Sequence, residues 1–156
     1  MEKRRTLSRE EREAAAYCVS GFTLVSHFFD KYADKFYSLL SPRIEINDGS
    51  KKLLREILTK LGGKAAYSVF SINAGGAEYE AENAVKMIRG LVDKYSFKNQ
   101  RADSDFDSIA SICLRTATGI IEENKRCLTL LVNELIEKEM ADSEDIERIL
   151  SQLKTE

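Results

Sequence analysis

The 156-residue sequence has no tryptophan, one proline and one histidine. Because proline interrupts helices, a single proline (Pro42) is typical of a chain built from long helices. No segment approaches the roughly 20 consecutive apolar residues that cross a bilayer, so we expect no membrane contact. The basic N-terminus meets Glu10, Glu11 and Glu13 where a signal peptide requires an apolar run.

Cysteine is also scarce. Cys18, Cys113 and Cys127 form no C-x-x-C motif and cannot all pair with one another. Each lies in an apolar helical context, which predicts buried and reduced thiols. Since disulfides are rare inside cells and common outside them, the sequence predicts an intracellular, cytoplasmic protein.

The hydrophobic pattern is helical, without strand-like alternation. The length fits one domain with a core of its own. We predict a single all-α domain over residues 1–156, a bundle of six or seven helices with a long N-terminal helix. Residues 1–7 are a candidate flexible tail, and residues 141–156 are a candidate docking helix.

The N-terminal helix carries the clearest signals. Ser8 and Glu11 have the spacing of a capping box, which predicts that the helix begins there. An apolar stripe follows at spacings of four and three, and the helix is expected to end near Ser41, before Pro42. The stripe consists of Cys18, Phe22, Val25, Phe29, Tyr32, Phe36 and Leu39.

Two glycine pairs, 62–63 and 75–76, raise the question of a phosphate-binding loop. Neither has the G-x-x-x-x-G-K-[ST] or G-x-G-x-x-G spacing that such loops require. Glycine also ends helices by adopting a left-handed conformation, so we interpret Gly62 and Gly75 as C-cap residues. This interpretation predicts a short helix from Lys64 to about Ile72, held between two turns.

The other boundaries follow from caps and periodicity. Ser50 is expected to cap the second helix. Another helix is predicted from about Ala77 to Tyr95, with Val85 among its inward residues. A further helix begins near Asp105, and the sequence leaves open whether residues 105–140 form one helix or two.

Candidate chemistry is sparse. The motif Asp103-x-Asp105-x-Asp107 imitates the start of an EF-hand loop, but serine and leucine stand where that loop needs glycine and glutamate. We therefore expect no enzyme, no catalytic, cofactor-binding or metal-binding residue, and no small-molecule substrate. An unrecognised enzyme that uses His27 or a carboxylate cluster is the alternative.

Charge is distributed unevenly along the chain. Residues 1–64 carry 13 lysines and arginines against 9 acids, and residues 65–156 carry 11 against 17. Such polarity favours docking between protein chains. Our leading hypothesis is a non-enzymatic helical subunit or adaptor that binds protein partners, or copies of itself, within a larger assembly. The candidate docking residues are Ile146, Ile149, Leu150 and Leu153.

An RNA-binding accessory subunit is the alternative from another class, because clustered cations contact phosphates without further motifs. The candidate RNA-binding residues are Lys3, Arg4, Arg5, Arg9, Lys51, Lys52 and Arg55.

The opening segment RRTLSREEREAAAYCV resembles the N-terminus of the small all-helical subunits of Cmr-type (type III-B) CRISPR effector complexes. Arg5-Thr6-Leu7, Arg12 and Ala16-Tyr17 carry this resemblance over about twenty residues. It implies a non-catalytic subunit that stacks along an RNA-bearing filament.

Overall fold

Five helices make up the described part of the chain, which comprises residues 8–97 and 102–138 of a computed structural model, with residues 102–104 described by their backbone alone. The helices are α1 (Arg9–Leu40), α2 (Asp48–Val69), α3 (Glu78–Tyr95), α4 (Ala102–Glu123) and α5 (Lys125–Lys138). The predicted all-α bundle with a long N-terminal helix is confirmed. Six or seven helices were expected, and these ranges hold five; the helix predicted over residues 141–156 lies outside them.

The start of α1 is the predicted capping box. The Ser8 hydroxyl accepts a hydrogen bond from the Glu11 backbone N–H at 3.1 Å, and the Glu11 carboxylate accepts one from the Ser8 N–H at 3.4 Å. Two otherwise unpaired backbone donors are satisfied in this way. The helix ends at Leu40, one residue before the predicted boundary, with Ser41 as its C-cap.

The apolar stripe of α1 is buried along most of its length. Leu39 is the exception: it is 48% exposed, and Leu40 takes the core position. A repeat of 4 and 3 averages 3.5 residues, whereas the helix has 3.6 residues per turn, so the stripe drifts about 20° per heptad. Over the three heptads from Cys18, that drift rotates position 39 out of the core and position 40 into it.

The interpretation of Gly62 as a C-cap was wrong, and so was the short helix from Lys64 to Ile72. Helix α2 continues through Gly62 and Gly63 to Val69 without interruption. Both glycines are buried inside the helix. The cost of glycine in a helix, about 1 kcal/mol relative to alanine, is offset here by a tertiary contact.

That contact is the crossing of α1 and α2. A Cβ atom on Gly21 would overlap the carbonyl group of Gly62, and a Cβ atom on Gly62 would overlap the carbonyl group of Gly21. A Cβ atom on Gly63 would lie 2.7 Å from the sulfur of Cys18. The two backbones therefore touch, and only glycine fits at the point of contact.

Helix α2 ends on a left-handed residue, but that residue is Ser71, with φ of 55°, and not a glycine. The N–H of Ile72 donates to the carbonyl of Tyr67 at 2.8 Å, which is the long hydrogen bond of a Schellman motif. No glycine in the described residues has positive φ, so the prediction of Gly75 as a C-cap was wrong.

Two smaller expectations about caps and burial also change. Asn47, and not Ser50, is the N-cap of α2: the Asn47 side chain accepts from the Ser50 N–H at 3.0 Å, and the Ser50 hydroxyl accepts from the Asn47 N–H at 2.8 Å. In α3, Val85 is 41% exposed, whereas Ile88 and Leu91 occupy the core.

Residues 105–138 form two helices, which answers the question that the sequence left open. The break falls at Asn124, whose side-chain amide donates to the Ile120 carbonyl at 2.7 Å while its backbone N–H donates to the Ile121 carbonyl at 3.1 Å. An asparagine side chain that competes for backbone groups in this way favours a turn over a continuing helix. Helix α4 begins at Ala102, three residues before the predicted start.

One large hydrophobic core contains residues of all five helices. Helix α1 packs against α2, α4 and α5, and α2 packs against α3 and α4 as well. Cys18, Cys113 and Cys127 are buried and free, as predicted. Among the described residues, no helix is long and apolar enough to cross a membrane.

The helix crossing gives the first testable prediction. Replacing Gly21 with alanine should lower the free energy of unfolding by about 2–3 kcal/mol, because the added methyl group meets backbone that cannot move aside. Urea denaturation of the two proteins measures the difference.

Gly90→Ala is the matched control. Gly90 also lies inside a helix, but a Cβ atom there would meet nothing within 4 Å. This variant should be as stable as the parent or more stable by up to about 1 kcal/mol. Equal stability of the Gly21→Ala variant and the parent would contradict the backbone contact.

Candidate functional site

A groove of about 750 Å³ lies between the first turns of α1 and the segment that follows α2. One wall is formed by residues 10–19 of α1, and the other by residues 71–76 and Tyr67. We call it the α1 groove. Its volume lies within the size range of ligand-binding clefts.

The walls of the α1 groove are fixed to each other by Tyr67. Its buried hydroxyl donates to the carbonyl of Ala14 at 2.8 Å, which joins the last turns of α2 to the first turns of α1. Burial raises the pKa of Tyr67, so the hydroxyl keeps its proton and remains a donor. The rings of Tyr17 and Phe70 pack beside this bond with their centres 5.1 Å apart.

Apolar and small residues form the inner surface of the groove. Val19 is 45% exposed, while Ile72 and Ala74 are half-buried and Cys18 is buried beneath them. Sequence reasoning missed this site. The one feature of the sequence that could have indicated the groove was Val19, an apolar residue that lies off the buried stripe of α1.

Residues 73–76 were interpreted as a turn after a short helix, but in the structure the whole segment 71–76 is a wall of the groove. Asn73 and Ala74 belong to no helix and make no backbone hydrogen bond within residues 8–97 and 102–138. Their N–H and C=O groups are therefore available to another chain.

The charge of the groove is negative. Glu10, Glu11 and Glu13 contribute to it, and none of its lining residues in the described part of the chain is a lysine or arginine. Arg9 lies just outside, with its guanidinium 3.5 Å from the Glu13 carboxylate in a highly exposed ion pair. The pair offsets part of the Glu13 charge, and acids still outnumber cations among the described residues at this wall of the groove.

The predicted RNA-binding residues that the structure describes do not form one surface. Arg9 begins α1, whereas Lys51 lies over the ring of Tyr37, about 42 Å farther along α1 at 1.5 Å per residue. Arg55 pairs with Asp30 at 3.0 Å. RNA binding stays a prediction.

Other candidates from the sequence lie outside the described ranges or apart from the groove. Lys3, Arg4 and Arg5 are outside, as are the docking residues Ile146, Ile149, Leu150 and Leu153. Lys52 is exposed on the first turns of α2. His27 is half-buried on α1, edge-on to the ring of Phe28, and does not line the groove.

The three thiols differ in their surroundings but not in the direction of their pKa. Burial raises the pKa of Cys113 to about 12 and that of Cys127 to about 11. The pKa of Cys18 is raised by burial and then by the nearby Glu80 carboxylate. All three are therefore neutral thiols at pH 7, without the thiolate that nucleophiles and metal ligands need.

A metal centre finds no support in the described residues, which contain no cluster of three or more histidine, cysteine, aspartate or glutamate side chains placed to hold an ion. Asp105, from the EF-hand-like motif, is buried and lies 3.7 Å from the Arg43 guanidinium. That carboxylate has a structural partner in Arg43.

No family model matches the chain. Among curated proteins, the chain is similar to the ATP-dependent zinc metalloprotease FtsH of Halothermothrix orenii, at 24% identity over 183 aligned positions. The match covers 87% of this chain but 29% of that protein, so the chain spans less than a third of its relative's length. It does not concern Cmr-type subunits, and that resemblance stays a prediction.

The raised thiol pKa of Cys113 predicts a loss of stability at alkaline pH. The unfolded thiol releases its proton near pH 9.0 and the folded one near pH 12. Stability from this group is complete below pH 9 and declines by about 1.4 kcal/mol per pH unit above it. Denaturation of Cys113→Ala should show a flatter pH dependence above pH 9 than the parent.

Between pH 6 and pH 8 the two proteins should differ by a constant amount, since neither unfolded nor folded thiol titrates there. If the free energies of unfolding of the parent and of Cys113→Ala changed in parallel up to pH 11, the prediction would be contradicted.

Proposed function

We propose that this chain is a non-enzymatic helical subunit or adaptor, and that it docks to a protein partner through the α1 groove. The occupant is an extended, basic segment of that partner. The observation that carries the proposal is the groove itself: a cleft with an apolar inner surface, three carboxylates, and a wall in which Asn73 and Ala74 make no backbone hydrogen bond within the described residues.

Zinc-protease activity is disfavoured by the residues that such a site would need. Zinc metalloproteases of the H-E-x-x-H type hold the metal with two histidines one helical turn apart and use the glutamate as a base. The sequence has a single histidine, so it cannot contain this motif. The part of the chain that is similar to that zinc metalloprotease therefore lacks the H-E-x-x-H ligands.

Two residues of α1, Cys18 and Phe22, have the same four-residue spacing as the two histidines of that motif. Both side chains face Gly63 of α2, and the charge of Glu80 acts on the Cys18 thiol. Phe22 has no donor atom, and the raised pKa of Cys18 keeps its thiol protonated. The pair fits packing between helices better than metal binding.

An extended segment suits the groove because of its backbone wall. A partner chain that lies along Asn73 and Ala74 can exchange main-chain hydrogen bonds with them, as in strand addition. Alternate side chains of such a segment would then point toward Val19 and Ile72. Main-chain bonds supply affinity in this mode, and the apolar contacts supply selectivity.

The charge expected of the occupant follows from the charged residues on the walls of the groove. Glu10, Glu11 and Glu13 place three carboxylates on one wall, and the described residues that line the groove include no lysine or arginine. Complementary charge speeds association and discriminates against acidic partners. A segment with lysine or arginine beside small apolar residues is therefore the best fit.

The test uses the full chain and a labelled peptide of alternating lysine and alanine, with affinity measured by fluorescence anisotropy. Val19→Arg should abolish most of the binding, because it adds a long cation to the inner surface of the groove. Raising the salt concentration should weaken binding to the parent, since exposed charges are screened.

Val85→Arg is the matched control, because Val85 is an exposed helical valine on α3 that does not line the groove. This variant should bind as the parent does. Equal losses in both variants, or a peptide of alternating glutamate and alanine that binds as tightly, would refute the proposal.

A further inference from the structure

A second cavity, of about 270 Å³, lies between the later turns of α1 and the middle of α4. We call it the α1–α4 cavity. It shares no lining residue with the α1 groove. Nothing in the proposed docking function requires it.

The inner surface of the α1–α4 cavity is apolar. Phe36 is buried at its base, Ile112 is half-buried, and Leu39 leaves 48% of its surface exposed at the edge. Leu39 is one of the few large apolar side chains of the described residues that remain open to water. An apolar group bound here would bury surface that the folded chain leaves exposed.

Two cations flank this apolar surface. Lys35 comes from α1 and Arg115 from α4, and both line the cavity. Neither forms an ion pair within residues 8–97 and 102–138. The Arg115 guanidinium is oriented by the Ser111 hydroxyl, which lies 3.4 Å from Nε and 3.1 Å from one terminal nitrogen.

One carboxylate, that of Glu123, also lines the cavity, and it is already engaged. The Tyr32 hydroxyl donates to it, and the Asn124 amide donates to the same hydroxyl at 3.2 Å. The described residues that line the cavity therefore carry a net positive charge, which comes from Lys35 and Arg115.

Gly119 gives the cavity its depth on the α4 side. A Cβ atom at this position would meet nothing within 4 Å. Unlike the glycines at the crossing of α1 and α2, Gly119 is not required by close packing. A larger side chain here would point into space that the fold leaves open.

We propose that the α1–α4 cavity binds a carboxylate that carries a short apolar group. The carboxylate pairs with Lys35 and Arg115, and the apolar group covers Leu39 and Ile112. A volume of 270 Å³ is too small for a helix, whose diameter is about 10–12 Å. The ligand is thus a small free acid or the C-terminal residue of a polypeptide.

Hexanoate is the first probe, and hexan-1-ol is its uncharged counterpart. Titration followed by two-dimensional NMR of the full chain should show shifts at Thr116 and Gly119, with hexanoate binding more tightly than the alcohol. The double variant Lys35→Gln/Arg115→Gln should weaken hexanoate binding roughly threefold to tenfold, the effect of two exposed ion pairs.

The source of the carboxylate is distinguished with a second pair of probes, a short peptide that ends in leucine and the same peptide with a C-terminal amide. Binding by the free-acid peptide without binding by hexanoate identifies a polypeptide C-terminus as the ligand. Binding by hexanoate without binding by the peptide identifies a small acid.

Gly119→Leu fills the cavity and should abolish binding of whichever probe binds the parent. Gly90→Leu is the matched control, because Gly90 is equally unobstructed but lies on α3. Three results would each overturn the proposal: no shifts with any probe, equal affinity for the acid that binds and for its uncharged counterpart, and equal binding by the two leucine variants.

Discussion

The backbone contact between Gly21 and Gly62 is the constraint on which the rest of the structure depends. It sets α1 and α2 closer together than any pair of side chains would allow. Because α2 crosses α1 without a break, its last turns reach back to the first turns of α1, where the Tyr67 hydroxyl meets the Ala14 carbonyl. The α1 groove exists because these two ends are held at that distance.

Local rules predicted part of the fold. The capping box at Ser8, the length of α1 and most of its buried stripe follow from rules that involve residues within one or two helical turns, and these were confirmed, with Leu39 as the exception. The glycines at 62 and 63 could not be interpreted in the same way. Their role is decided by Gly21, some forty positions earlier, and local propensity carries no information about a partner at that distance.

The candidate sites were harder to predict than the helices. Each combines segments that are distant in the sequence: residues 10–19 with 71–76 in the groove, and α1 with α4 in the cavity. Charge counting identified lysines and arginines by type, but Arg9 lies at the start of α1, whereas Lys51 of α2 lies over Tyr37, near the other end of α1. The residues that mark the sites, Val19 and Leu39, are apolar side chains exposed on α1, which a search for charged clusters passes over.

The position of the glycine contact along α1 has a structural consequence. The groove uses α1 before Gly21, and the α1–α4 cavity uses α1 after it. The glycine contact and the hydrogen bond from Tyr67 to Ala14 hold the part of α1 before Gly21 against α2 at two points. The part after Gly21 is held by side chains of the common core, among them Phe29 and Phe36. One helix thus carries two sites on opposite sides of its tightest contact, each supported by different neighbours.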